Sequence, residues 1–274
     1  MKGRGRAAIV VGGVLVAVVV VMAVVSWFWT PHDPEAIDAS ARLAPMSWSH
    51  PLGADRFGHD VLSQIMAGAR VTLLVGVVAV AIAAVIGVPL GALAGLRGGW
   101  TGETVMRAND VVFAFPAVLV AIMLAAAYGA STLTAMIAIG VANVPVFARL
   151  TRGETLRVVS SEYVLAARGA GRRRLGIFNR HVLPNIAPVL IVQATVLFAL
   201  AILAEAALSY LGLGTPAPTP SWGRMLHESQ TFFESRPTLA LFPGLAIALS
   251  VLGFNLLGDG LRDAIDPKLR IVRA

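Results

Sequence analysis

The sequence predicts an all-α membrane protein, a bundle of six transmembrane helices, on three observations. Of the 274 residues 57% are hydrophobic and only 14% charged, with a mean hydropathy of +0.78, where an average soluble domain carries about 25% charged residues. Apolar runs recur that approach or exceed the roughly 20 residues a helix needs to cross about 30 Å of hydrocarbon. None of these runs alternates as a barrel strand does.

The first run, residues 7–29, follows Lys2, Arg4 and Arg6. It exceeds the apolar region of a signal peptide, about 7 to 15 residues, and ends in Trp27 and Trp29 instead of a small-residue cleavage site. Residues 1–29 therefore read as a tail and a retained first span. Residues 30–70 read as a long outer segment, opened by Pro31, Pro34, Pro45 and Pro51 and closed by an interfacial helix over 59–69. The remaining spans fall at 71–96, 111–128, 133–148, 186–208 and 239–257, within a transmembrane unit of residues 71–260. That unit holds an inner loop at 149–185 and an outer loop at 212–238, and a tail at 261–274 follows it. Both outer segments are long enough to fold over the outer mouth. There is no internal repeat and no linker that marks a second domain.

Six spans place both termini on one side. With that side cytoplasmic, the cytoplasmic pieces hold all but five of the 22 Lys and Arg, the exceptions being Arg42, Arg56, Arg70, Arg224 and Arg236. This bias sets the orientation and explains the net charge of +7 as a topology signal, not a nucleic-acid surface. The absence of cysteine excludes disulfides, thiolate metal sites and cysteine nucleophiles.

The inner loop carries a basic island, SSEYVLAARGAGRRRLGIFNRHVLP, at 160–184. Connections in compact proteins run about 4 to 6 residues, so a long one with its own helix signal points to a partner. Ser160 or Ser161 can cap a helix, and Glu162 in its first turn complements the dipole. Gly169 and Gly171 supply terminators. Ala166 and Ala167 give a smooth, close-packing face, while Tyr163 and Leu165 are apolar anchors suited to a partner's groove. Arg172, Arg173 and Arg174 read as lipid-headgroup and topology determinants.

The run EYVLAARGAG, with Leu183 and Pro184 after it, resembles the cytoplasmic "EAA" loop of permease subunits in binding-protein-dependent ABC importers. Residues 50–70, the ALSYLGLG run at 207–214 with Trp222 and Gly223 beyond it, and the tail at 257–270 look like the dipeptide, oligopeptide and nickel branch. The resemblance thus covers nearly everything after His50. Ala166, Ala167, Gly171, Leu183 and Pro184 match the loop's pattern, whereas Leu165 stands in place of its glutamate and His181 in place of its isoleucine.

The resemblance implies a type I importer permease in a bacterial cytoplasmic membrane. Its partners would be a second related permease, two ABC ATPase subunits, an extracytoplasmic solute-binding protein, membrane lipid and a peptide cargo. ATP and Mg would be bound by the ATPase subunits, with no cofactor on this chain. Contact with the ATPase would fall to Glu162, Tyr163, Leu165, Ala166, Ala167, Arg168, Gly169, Gly171, Leu183 and Pro184. Nickel or another small solute is the alternative cargo.

Within the spans, Glu205, Asn143 and Gln193 are candidates for the translocation path or its gate, because ionisable and polar groups at membrane depth are costly. Glu205 also reads as an interfacial group bonded to Ser209 or outer-loop backbone, and Asn143 and Gln193 as links between helices. Asp110 reads as one half of an ion pair or an interfacial group. Pro89, Pro116, Pro145, Pro188 and Pro243 are possible kinks, and Gly87, Gly91 and Gly95 allow close helix contact.

No phosphate-binding GxxxxGK[ST] loop exists, since the only lysines are Lys2 and Lys268. HExxH and GxSxG motifs and clustered intramembrane carboxylates are absent too. His50, Asp55, His59 and Asp60 do not follow a standard ligand spacing, so no metal site is expected of them. Two rival classes remain: a self-contained secondary transporter, which calls for a midplane ion site in broken helices, and an intramembrane enzyme.

Overall fold

The computed structural model describes residues 2–265, so the tail motif beyond Ile265, Lys268 and Arg270 included, lies outside the described residues. Among the described residues ten α-helices follow one another: α1 (Lys2–Val25), α2 (Val61–Arg97), α3 (Gly99–Ala114), α4 (Ala117–Tyr128), α5 (Thr132–Val159), α6 (Glu162–Gly169), α7 (Arg174–Ile177), α8 (Leu183–Tyr210), α9 (Trp222–Ser229) and α10 (Thr238–Ile265). Among the described residues five helical spans are long and apolar enough to cross a membrane, and the bent pair α3–α4 makes a sixth. No strand forms among them; one isolated bridge joins Ala54 and Asp60.

The centre of the bundle is α5 against α2. A Cβ on Gly87 would lie 2.6 Å from the Val144 carbonyl oxygen, one on Gly91 would strike the Ala148 carbonyl, and one on Gly95 would lie 2.8 Å from Thr155 Cβ. Three glycines four residues apart thus let the two backbones touch over two turns. On the other flank α1 packs along α10, where Gly12 meets the backbone of Gly253 and Leu257. Gly5 lies beside Asp263, so the described chain ends share one end of the bundle.

Several helix boundaries differ from those the sequence predicts: α5 runs on to Val159, past the expected end at 148 and into the predicted inner loop, α10 runs to Ile265 instead of 257, and α1 stops at Val25, short of 29. The interfacial helix of 59–69 is not separate: α2 begins at Val61, capped by Asp60, and runs unbroken to Arg97. Arg70 does not end it, because its guanidinium finds the Ser26 hydroxyl at 2.6 Å and the Trp27 ring at 4.9 Å. The third span is not a straight 111–128 helix but turns by 79° between α3 and α4. Pro116 lacks an N–H and forces Phe115 into the extended region (φ −88°, ψ 125°), which breaks the ladder. With 12 residues α4 spans only about 18 Å, less than the hydrocarbon core, so the elbow must share the crossing.

The fifth span starts earlier than 186. Helix is already under way at Arg174, widens to a π turn at Phe178–Val182, and continues into α8. The Leu183 N–H donates to the Phe178 carbonyl five residues back. That wider register precedes Pro184, whose ring would crowd an ordinary i−4 carbonyl.

Candidate functional site

At one end of the bundle α5 stops at Val159 and the chain turns through Ser160 and Ser161 into α6. Ser161 occupies the cap position, but its hydroxyl donates to the Val158 carbonyl at 2.5 Å and does not accept from the first turn. Ser160 likewise donates to the Arg157 carbonyl. The far end closes with a six-to-one bond from the Arg172 N–H to the Ala167 carbonyl and a bond from the Gly171 N–H to Arg168, at 3.1 and 2.9 Å. Gly171 takes φ +79°, the left-handed residue this closure requires, while Gly169 remains helical.

One side chain mounts the helix. Val164 is fully buried and joins Val158, Val159, Ile177, Val182 and Ile186 in a small apolar cluster, with Leu96 packed against it. Sequence reading missed Val164, and its signal lies only in that cluster. Everything else faces away: Glu162, Ala166, Arg168, Gly169 and Gly171 are exposed, Ala167 is half-buried, and Tyr163 and Leu165 are each 50% exposed. The Tyr163 hydroxyl accepts from Asn185 at 3.3 Å, and its ring tilts against His181 at 5.9 Å. Leu183 is half-buried and Pro184 exposed, on the helix that leads back into the bundle. The assembly is a short helix on a packed base with an exposed apolar face.

At the opposite end Glu205 is 1% exposed, and its Oε1 accepts from three hydroxyls: Ser209 at 2.7 Å, Ser221 at 2.8 Å and Thr215 at 3.4 Å. The Ser209 hydroxyl also accepts from the Thr215 N–H, and Thr132 of α5 donates to Thr215. Next to this knot Trp222 is fully buried and its indole N–H donates to the Ile65 carbonyl at 3.0 Å. Gly68 makes room for that indole, and Gly223 packs on the Ala206 carbonyl. Three apolar crossings are thereby tied to the loop that covers them.

Asn143 is half-buried and donates to the Ile139 carbonyl of its own helix at 2.8 Å. Gln193 is half-buried on α8. Glu205 stands twelve residues, about 18 Å, along α8 from Gln193, so these two do not share one site. Asp110 pairs with Arg149 at 2.7 Å, and Arg149 lies over the Phe113 ring at 4.0 Å, which staples the α3–α4 elbow to α5.

A helical multi-pass bundle with a short helix standing on a packed base at one end is the architecture of an importer permease. In agreement, a solved methionine ABC transporter chain, described in inward-facing conformations, superimposes with a TM-score of 0.61 over 77% of this chain and 95% of that one, at 20% identity. Residues 87–271 match the family described as "Binding-protein-dependent transport system inner membrane component", and the chain belongs to that family. A dipeptide transport system permease protein of Alkalihalophilus pseudofirmus is 42% identical over 95% of this chain and 86% of its own length. A probable D,D-dipeptide transport system permease of Escherichia coli is 40% identical, covering 97% and 89%. A glutathione transport system permease of Pectobacterium atrosepticum is 40% identical, covering 95% and 87%. The protein is a multi-pass transport subunit of an ABC importer and not an enzyme.

Proposed function

We propose that this chain forms half of the translocation pathway for di- or oligopeptides and is driven through α6. The cargo rests on the dipeptide and glutathione permeases among its relatives. The observation that carries the drive is the mounting of α6: Val164 buried in a six-residue cluster, with Tyr163, Leu165 and Ala166 turned outward. An apolar helix face on a stiff base is what a groove on a partner can push. The chain pairs with a second related permease, two ATPase subunits that hold ATP and Mg, and an extracytoplasmic solute-binding protein. Glu162 and Arg168 supply the charged edge of the docking helix, and Leu183 and Pro184 carry its displacement into α8.

The α6 end is cytoplasmic, because Arg97, Arg152, Arg157, Arg168, Arg172, Arg173, Arg174 and Arg180 gather there. At the outer end Glu205 latches the loop of 212–221 to α8, so that the cover moves with the helix. In proteoliposomes holding the complete transporter, Ala166→Asp places a charge on the exposed apolar face without touching the base. ATP-driven peptide uptake should fall at least about tenfold, the equivalent of some 1.4 kcal/mol of lost contact, while assembly of the bundle stays normal. Unaltered uptake at normal abundance overturns the docking role, and uptake by the chain without any ATPase supports a secondary transporter instead.

A further inference from the structure

At the end of the bundle opposite α6, three separate stretches of chain bring polar groups to one point. His32 follows α1, His50 comes from the middle of the loop, and Asp60 caps α2. Asp60 Oδ2 accepts from the Ser63 N–H at 2.8 Å and the Ser63 hydroxyl at 2.6 Å. Its Oδ1 faces His50 Nδ1 at 3.1 Å and His32 Nδ1 at 3.9 Å. The two imidazoles stack with centroids 4.6 Å apart, and one ligating atom from each of the three residues lies within 4.8 Å of the others. The Asp60 side chain is fully buried, that of His50 14% exposed and that of His32 43%. Ser63 also receives the His32 backbone N–H, at 3.0 Å, which fixes where the loop enters.

We propose that His32, His50 and Asp60 bind a divalent transition ion of the zinc class. Two imidazoles and a carboxylate suit a borderline divalent ion, and three protein donors leave a fourth tetrahedral position for water. Metal bonds of about 2.0 to 2.2 Å place neighbouring donors roughly 3.4 Å apart. The His50–Asp60 distance of 3.1 Å meets this already, and only His32, the exposed member on a loop, has to close from 3.9 Å. Ser63 holds the second carboxylate oxygen, as an outer-shell partner does for a ligating carboxylate. The ion would fasten the loop's first residues to the start of α2. Sequence spacing gives no expectation of a metal here because His32 comes from the far end of the loop. Of the four residues it considers, His59 and Asp55 close on each other at 2.7 Å, and that pair gains no third donor among the described residues.

The test uses the full chain in its assembled transporter, stripped with a chelator and titrated with Zn²⁺ alone under equilibrium dialysis. One zinc should be retained per chain and should slow proteolysis within residues 33–49. His32→Ala, at an exposed position, and His50→Ala should each abolish retention. Ser63→Ala should weaken it by about 10- to 100-fold, and His59→Ala should leave it unchanged. Failure of the native transporter to retain zinc, or equal retention by the His32→Ala/His50→Ala double variant, overturns the site.

Discussion

At the scale of single residues, Glu205 is the most exposing test of how the end opposite α6 is built. All three of its donors converge on one oxygen, and Oε2 has no hydrogen-bond partner among the described residues. Glu205→Gln keeps an oxygen where Oε1 stands, so the Ser209, Thr215 and Ser221 hydroxyls still have an acceptor. Glu205→Ala leaves them unpaired in a buried place, at about 1 to 3 kcal/mol for each unsatisfied group. The alanine variant should lower the melting temperature of the purified protein and open the 212–221 loop to protease, whereas the glutamine variant should behave nearly as the native chain. Equal damage from both would mean that the charge, and not the acceptor, matters. The sequence marks Glu205 as costly from its position alone. It reveals Ser209, one turn on, as a partner, but not Thr215 and Ser221, which reach Glu205 only through the fold of the loop.

At the scale of elements, local grammar and long-range packing divide what sequence reading can see. The start of α6 at Glu162 and its end around Gly169 and Gly171 are legible because helix termini are written in adjacent residues. Its base is not, since Ile177, Val182 and Ile186 meet Val164 only after the chain reverses. The 79° elbow is half legible: Pro116 marks a local break, but Phe115 and Pro116 sit in a stretch hydrophobic enough to pass as one straight span, so the angle is not. The glycine repeat of α2 is legible as close packing, but not that α5 is its partner. This contact makes its own prediction. Gly91→Val drives a branched side chain into the Ala148 carbonyl and should cost about 1 to 3 kcal/mol by overpacking. Gly153→Ala on the exposed side of α5, where an added Cβ meets nothing within 4 Å, should be neutral or gain up to about 1 kcal/mol of helix propensity. Thermal unfolding in lipid nanodiscs compares the two, and equal melting temperatures would deny the α2–α5 seam its central place.

At the scale of the whole molecule, the charge bias and the packing constrain topology independently. Gly5 beside Asp263 puts the described ends of α1 and α10 together, while Ser26–Arg70, Thr132–Thr215 and Trp222–Ile65 hold the other end closed. Packing therefore says which segments share an end, and the proposal that the α6 end meets the cytoplasm rests on the arginine distribution alone. Because the chain has no cysteine, single introduced thiols can decide this without background. Trp48→Cys occupies a fully exposed position on the loop that follows α1, and Arg173→Cys lies just beyond α6. In intact cells a membrane-impermeant maleimide should label position 48 and should reach position 173 only after permeabilisation. The reverse pattern would set α6 outside, beyond the reach of any cytoplasmic ATPase. Labelling of both positions in intact cells would contradict the packing itself, since α2 and α5 run parallel and set positions 48 and 173 at opposite ends of the bundle.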